Sequence, residues 1–167
     1  FDDLNTQPSP TAAWQERNQK ILQTLATHEL KAALFVCGMR VDSPQGRALL
    51  KSWDQAGHPI ANHSYSHPFF SGSKVSAVDF ERELLRTDSI IHAYAHFKPW
   101  FRFPFLKEGK TAERRDSLRN ILAAHGYRNG HVSIDASDWY VDQRLCDSLK
   151  KNPRLNPLPY KEYYVAH

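Results

Sequence analysis

The sequence holds two cysteines, one methionine and seven glycines in 167 residues. Two cysteines are too few for a disulfide framework. Cys37 sits inside an apolar run and reads as a small core residue rather than a reactive thiol. No stretch approaches the run of about 20 apolar residues that a membrane-spanning helix needs. Charge of one sign is scarce as well: 22 Lys and Arg stand against 18 Asp and Glu, and the excess of four is spread along the chain. A nucleic-acid binder concentrates its basic residues on one face or arm, so nucleic acid is not an expected partner. Repeats and low-complexity segments are missing. What remains is an ordinary globular composition, 41% hydrophobic, long enough for one domain with a real core. The chain opens at Phe1-Asp2-Asp3 without an initiator Met.

The hydrophobic pattern alternates between strand-like and helix-like segments. Ser9-Pro10 predicts a helix start, and Trp14, Ile21, Leu22 and Leu25 follow at helical spacing. Residues 32–37 (AALFVC) read as a buried strand ending before Gly38. Ser43-Pro44 opens a helix with Leu49, Leu50 and Trp53 inward and Gly57 at its end. Residues 58–62 form a short strand. Residues 76–96 form a long helix opened by the Ser76/Asp79 pair, with Leu84, Leu85, Ile91 and Tyr94 inward. Residues 100–103 are a strand stopped by Pro104, and 111–125 a helix with Leu118, Ile121 and Leu122 inward. A strand over 131–134, a helix over 141–150 and a proline-dotted loop over 153–159 complete the series. Alternation of this kind predicts an α/β fold with parallel strands, in which reactive residues gather where strands end and loops begin.

Four polar clusters fall at such junctions. His63-Ser64-Tyr65-Ser66-His67 puts two imidazoles four residues apart, a spacing that on a helical turn lets both reach one metal ion. With nine histidines the signal is weak alone. A second pair, His92 and His96, lies in the long helix and reads as surface or packing. A carboxylate is the usual third partner when a metal also activates water, and Asp2 and Asp3 are adjacent carboxylates at an apparent strand end. Neighbours on a strand point to opposite faces, so both reach one site only if the chain bends there. The alternative is a solvated acidic terminus. Arg102, in Trp100-Phe101-Arg102-Phe103-Pro104-Phe105, needs a partner among so many rings; it either braces a carboxylate or stacks on a ring. Asp135-Ala136-Ser137-Asp138-Trp139 adds two carboxylates beside a flat ring suited to a sugar face, although Asp138 could simply cap a helix.

In this order the clusters resemble the motifs of the polysaccharide deacetylases, carbohydrate esterase family 4, built on the NodB homology domain. The resemblance is carried by Phe1-Asp2-Asp3, His63-Ser64-x-x-His67, Arg102-x-Pro104-Phe105 and Asp135-x-x-Asp138-Trp139. Leu34-Phe35-Val36-x-Gly38 and Ala56-Gly57-His58 support it. It implies a distorted, incomplete (β/α) barrel with fewer than eight strands. It also implies a metal ion, most often zinc with cobalt, nickel or manganese as alternatives, on Asp3, His63 and His67. Asp2 would act as general base, Arg102 would orient it, and Asp138 would pair with a catalytic histidine. Tyr65, Phe105 and Trp139 are the expected substrate contacts. The substrate implied is an acetylated polysaccharide or oligosaccharide (peptidoglycan, a chitin-like chain or acetylated xylan), and the placement implied is extracytoplasmic.

The sequence departs from the pattern at the family's last motif, a Leu-x-His segment carrying the general acid. Only the terminal His167, after Val165-Ala166, stands near such a place. The strand expected before Asp2 is also missing, and a full eight-stranded barrel takes about 250 residues. The expectation is therefore a single deacetylase domain over 1–167, cut at both ends, that binds metal with weak or no turnover. Rival readings are a hydrolase of cyclic or other non-sugar amides on the same fold, a non-catalytic glycan-binding domain that keeps the metal triad, and a structural domain without metal.

Overall fold

The structure, a computed structural model, describes residues 1–72 and 74–166. His167 thus lies outside the described residues. The chain divides into two compact units, one of residues Phe1–Thr6 and Gln15–His131, the other of Gln7–Trp14 and Val132–His167.

The first unit is built on a parallel sheet of β1 (Leu34–Val36), β2 (Ile60–Asn62), β3 (Phe97–Phe101) and β4 (Arg128–Asn129), in that spatial order. Helices α1 (Trp14–Thr27), α2 (Gly38–Val41), α3 (Pro44–Gln55), α4 (Ala77–Ile91) and α5 (Ala112–Ala124) fall before and between the strands. This sequential α/β order is that of a partial (β/α) barrel. The N-terminal residues extend it: Asp2 pairs in parallel with Phe35, and Phe35 donates its N–H to the Phe1 carbonyl at 2.8 Å.

Local chemistry explains most boundaries. Ser43 caps α3 by accepting the Gly46 N–H, and Gly57, at φ +75°, turns the chain out of that helix. Ser76 and Asp79 cap each other at the start of α4, an arrangement worth about 0.5–2 kcal/mol. The same helix stops at Ile91 rather than running to residue 96. Asp54 explains the early stop: its carboxylate accepts the Ala95 and His96 N–H groups and the His96 ring, drawing the chain out of helical pairing. Leu84 and Ile91 are buried as expected, but Leu85 is exposed.

Pro99 falls inside β3, which starts three residues earlier than the sequence suggests. Because it has no N–H to give the ladder, register with β2 slips, Ile60 facing Phe97 and Asn62 facing Phe101. α1 starts at Trp14 and not at Pro10, because Ser9 Oγ accepts the Thr11 N–H in a local turn instead. The strand expected over 131–134 is displaced to β4. Gly130 ends the ladder by donating to the Phe101 carbonyl, and Ile134 is 82% exposed.

The sheet residues of β1 and β2 are buried, as strands covered on both sides must be. Behind them Phe70, Phe80, Leu84, Phe101, Phe103, Leu118, Leu122 and Tyr127 form one apolar cluster. Phe80 and Phe103 stack at 5.6 Å within it. Cys37 is fully buried, and burial pushes its thiol up to about 11, in keeping with a core residue.

In the second unit, α6 (Asp138–Lys151) and α7 (Leu158–Ala166) are joined by a hydrogen bond between the Ser148 and Tyr160 hydroxyls. Neither helix has a buried residue. The tyrosine-rich end is helical, and the loop expected over 153–159 gives way to α7 at Leu158.

Candidate metal centre

Asp3, His63 and His67 each offer a ligand atom, and these atoms lie within 4.8 Å of one another at the carboxyl ends of the strands. A strand alone would point Asp2 and Asp3 apart. Asp3 has φ +61°, and this left-handed residue supplies the bend that alternation forbids. Its N–H still bonds the Phe35 carbonyl, so the bend starts where the sheet pairing stops.

His63 follows β2 directly and gives its N–H to the Val36 carbonyl at 2.9 Å. Its Nδ1 lies 2.7 Å from the Arg102 carbonyl oxygen. A carbonyl can only accept, so Nδ1 carries the proton and Nε2 presents its lone pair toward Asp3. The His63–His67 segment is not the helical turn the spacing suggests. Ser64 and His67 both take positive φ, at 66° and 57°, and that irregular loop brings the two rings to 5.0 Å. Ser64 holds it from inside: its N–H goes to Asn62 Oδ1 and its Oγ accepts the His67 N–H.

Distances fit a shared cation. His67 Nε2 is 3.2 Å and His63 Nε2 3.8 Å from Asp3 Oδ2. Ligand atoms each about 2.0–2.2 Å from a tetrahedral zinc would stand about 3.4 Å apart. The other oxygen, Asp3 Oδ1, is buried and accepts no hydrogen bond among the described residues, with Arg40 Nε 3.6 Å away. Two imidazoles and one carboxylate leave a fourth position open, as catalytic zinc sites do. Burial pushes the Asp3 carboxyl up, but the hydrogen bond to His67 and the charges of His63, His67 and Arg40 outweigh it and hold the group below its ordinary range. His63 moves the other way: burial dominates over the pull of Asp3 and Asp2 and holds the ring below the usual histidine range.

Arg102 leaves the end of β3 and satisfies both readings of its sequence at once. Its NH1 donates to Asp2 Oδ1 at 2.6 Å, its Nε to the Gly130 carbonyl at 2.9 Å, and its guanidinium lies 3.7 Å over the Phe35 ring. Gly130 must be glycine for this: a Cβ there would come within 2.6 Å of Phe35.

Comparison with known proteins shows the family of this chain. The sequence profile of the polysaccharide deacetylase family matches residues 1–130. The chain belongs to the polysaccharide deacetylase family. It is 32% identical over 125 residues to the peptidoglycan-N-acetylglucosamine deacetylase of Bacillus cereus, covering 74% of this chain and 42% of that protein. A chitooligosaccharide deacetylase of Rhizobium leguminosarum bv. trifolii is 32% identical over 146 residues, covering 83% of this chain and 57% of its own length. The chain thus spans about half the length of these relatives. Among solved structures, the family 4 carbohydrate esterase from Streptomyces lividans in complex with acetate superimposes with a TM-score of 0.64 at 26% identity, over 93% of this chain and 71% of that one.

Other residues expected at the polysaccharide deacetylase site fare differently. Tyr65 is buried rather than open at the site. It is 8% exposed; its hydroxyl donates to Asp42 and accepts from Arg86, whose guanidinium also covers the ring at 3.5 Å. Phe105 does stand at the site, exposed, with its ring 4.6 Å from His67. Phe69, which the motif reading passed over, packs against Phe105 at 5.7 Å and is also exposed. Its place two residues after His67 was the available signal. Arg40, four residues beyond Val36, was also missed, since only the fold brings it to Asp3.

Asp138 and Trp139 belong to the second unit. Asp138 opens α6, and its Oδ1 accepts the Trp139 N–H, so its visible bond is that of a helix start. Trp139 is 63% exposed and packs edge-on against Tyr140.

Proposed function

We propose that this chain carries the metal-binding and general-base half of a hydrolase that removes acetyl groups, N-linked or O-linked, from a polysaccharide. The observation that carries the reading is the Asp3–His63–His67 cluster standing beside an aspartate, Asp2, that Arg102 grips. The residues fit a divalent ion by donor type, tautomer and separation. Zinc is the first choice for an N,N,O set, with cobalt, nickel and manganese as alternatives. When bound, the ion would supply Lewis acidity to the acetyl carbonyl and to the attacking water.

The chain's own residues divide the remaining work. Asp2 Oδ1 is held by Arg102, which leaves Oδ2 to take the proton of the water. Arg102 fixes the Asp2 side chain and offsets its charge, and Phe35 and Gly130 fix Arg102. Phe105 and Phe69 offer an exposed apolar shelf beside His67 on which a sugar ring can rest. Asp138 would orient a protonated histidine that returns the proton to the leaving amine. The second unit has no histidine among its described residues.

The relatives' names, peptidoglycan-N-acetylglucosamine deacetylase and chitooligosaccharide deacetylase, support N-acetylated amino-sugar chains as the substrate class, and a peptidoglycan substrate would place the protein outside the cytoplasm. Among the described residues no helix is long and apolar enough to cross a membrane. Acetate release from N-acetylated chito-oligosaccharides, set against cyclic amides, tests the substrate class. Hydrolysis of the cyclic amides alone would reject it.

A further inference from the structure

We propose that Glu83, on α4, is the positioning residue that sets the geometry of the histidine pair; the assignment rests on the metal reading above. Its carboxylate is spent on the loop between His63 and His67. Glu83 Oε2 accepts the Tyr65 N–H at 3.0 Å and the Ser66 N–H at 2.6 Å, and Oε1 accepts the Ser66 hydroxyl at 2.9 Å. Two successive N–H groups converging on one oxygen require a curved backbone. The curve is produced by Ser64 and His67, both in the left-handed region that non-glycine residues avoid. Such a backbone persists only when its surroundings over-determine it. From the start of α2, the Gly38 and Met39 N–H groups bind the Ser64 and Tyr65 carbonyls. Glu83 is the counterpart from α4, accepting N–H groups that those contacts leave over.

Glu83 is absent from the cluster of candidate ligands and acts through the backbone. Removing it leaves two N–H groups to water and lets residues 64–67 relax toward ordinary φ, which moves the His67 ring away from Asp3. Gln preserves the pattern: its amide oxygen can accept both N–H groups, and its NH2 can donate to Ser66 Oγ. Asp cannot, being one methylene short.

The test is zinc affinity by competition with a chelator, together with the visible spectrum of the cobalt-loaded protein, which reports ligand geometry. Glu83→Ala should weaken zinc about 10–100-fold and alter the cobalt bands, while Glu83→Gln keeps both close to wild type. Glu81→Ala, on the same helix and paired with His125, should change neither. Wild-type affinity and spectrum in Glu83→Ala, or an equal loss in Glu81→Ala, would overturn the assignment. If Glu83→Ala does not fold, Glu83→Asp takes its place: it should weaken zinc where Gln does not, and wild-type binding would overturn the assignment. Failure of the wild type to bind zinc would sink the metal reading alone. Hydrogen exchange at the Tyr65 and Ser66 amides then decides on Glu83, faster exchange in Glu83→Ala supporting it and unchanged exchange overturning it.

Discussion

The unit of residues 1–6 and 15–131 buries a cluster of aromatic rings in its core, whereas the described part of the other unit leaves Trp139, Tyr140, Tyr163 and Tyr164 about half exposed or more. The first holds Phe70, Phe80, Phe101 and Phe103 in one cluster, and its candidate site stands on strand ends fixed by that core. The second has two helices, neither with a buried residue. A polar site needs a rigid support to hold buried donors at short distances. The candidate metal triad and the Asp2–Arg102 pair have that support, and the Asp138–Trp139 pair does not.

The contrast can be broken by mutation, and the largest effects belong to the first unit. Phe101→Ala should lower unfolding free energy by about 3–5 kcal/mol in denaturant titration, because it opens a cavity in a packed cluster. Trp139→Ala should stay within about 0.5 kcal/mol of wild type in the same titration. Equal losses would show that the second unit is as tightly packed as the first. Arg102→Lys should cost less than the core cavity: a point charge can neutralise Asp2 but cannot also bond Gly130 and lie flat on Phe35. We expect about 1–2 kcal/mol in stability with zinc affinity nearly unchanged, since Asp2 is not among the ligands. A large loss of zinc would move Asp2 into the ligand set.

The smallest expected effect concerns pH. Burial pushes the Asp54 carboxyl up, but hydrogen bonds from the His96 N–H and ring and the Ala95 N–H outweigh it and hold the group below its ordinary value. A depressed carboxyl stabilises the fold above the unfolded value, about 3.9, and that contribution is lost as pH falls through the folded value. Thermal midpoints between pH 5 and pH 2 should therefore fall less steeply in Asp54→Asn than in wild type. Parallel curves would remove Asp54 from the account.

Legibility in the sequence followed the same division. The α/β order, the buried faces of α3 and α5 and the capping box at Ser76 could be read from periodicity and spacing, whereas Asp3, His63 and His67 were singled out as one set by the family resemblance. These features are local, or lie at strand ends that parallel topology brings together. The failures are tertiary. Asp54 stops α4 from another element, so no pattern within residues 76–96 announces it. Leu85 occupies a helical position that periodicity calls inward but nothing covers. Tyr65 lay inside a site motif, yet Asp42 and Arg86, distant in sequence, claim its hydroxyl. The left-handed Asp3, Ser64 and His67 carry no sequence mark either, because glycine, the usual sign of such a conformation, is absent from all three positions.

The central claim is that three side chains in the well-packed unit hold a divalent ion. Metal content per chain, after zinc loading and desalting, should be one ion in wild type and in His92→Ala, a histidine outside the site, and close to zero in His63→Ala. Equal zinc in wild type and His63→Ala would contradict it.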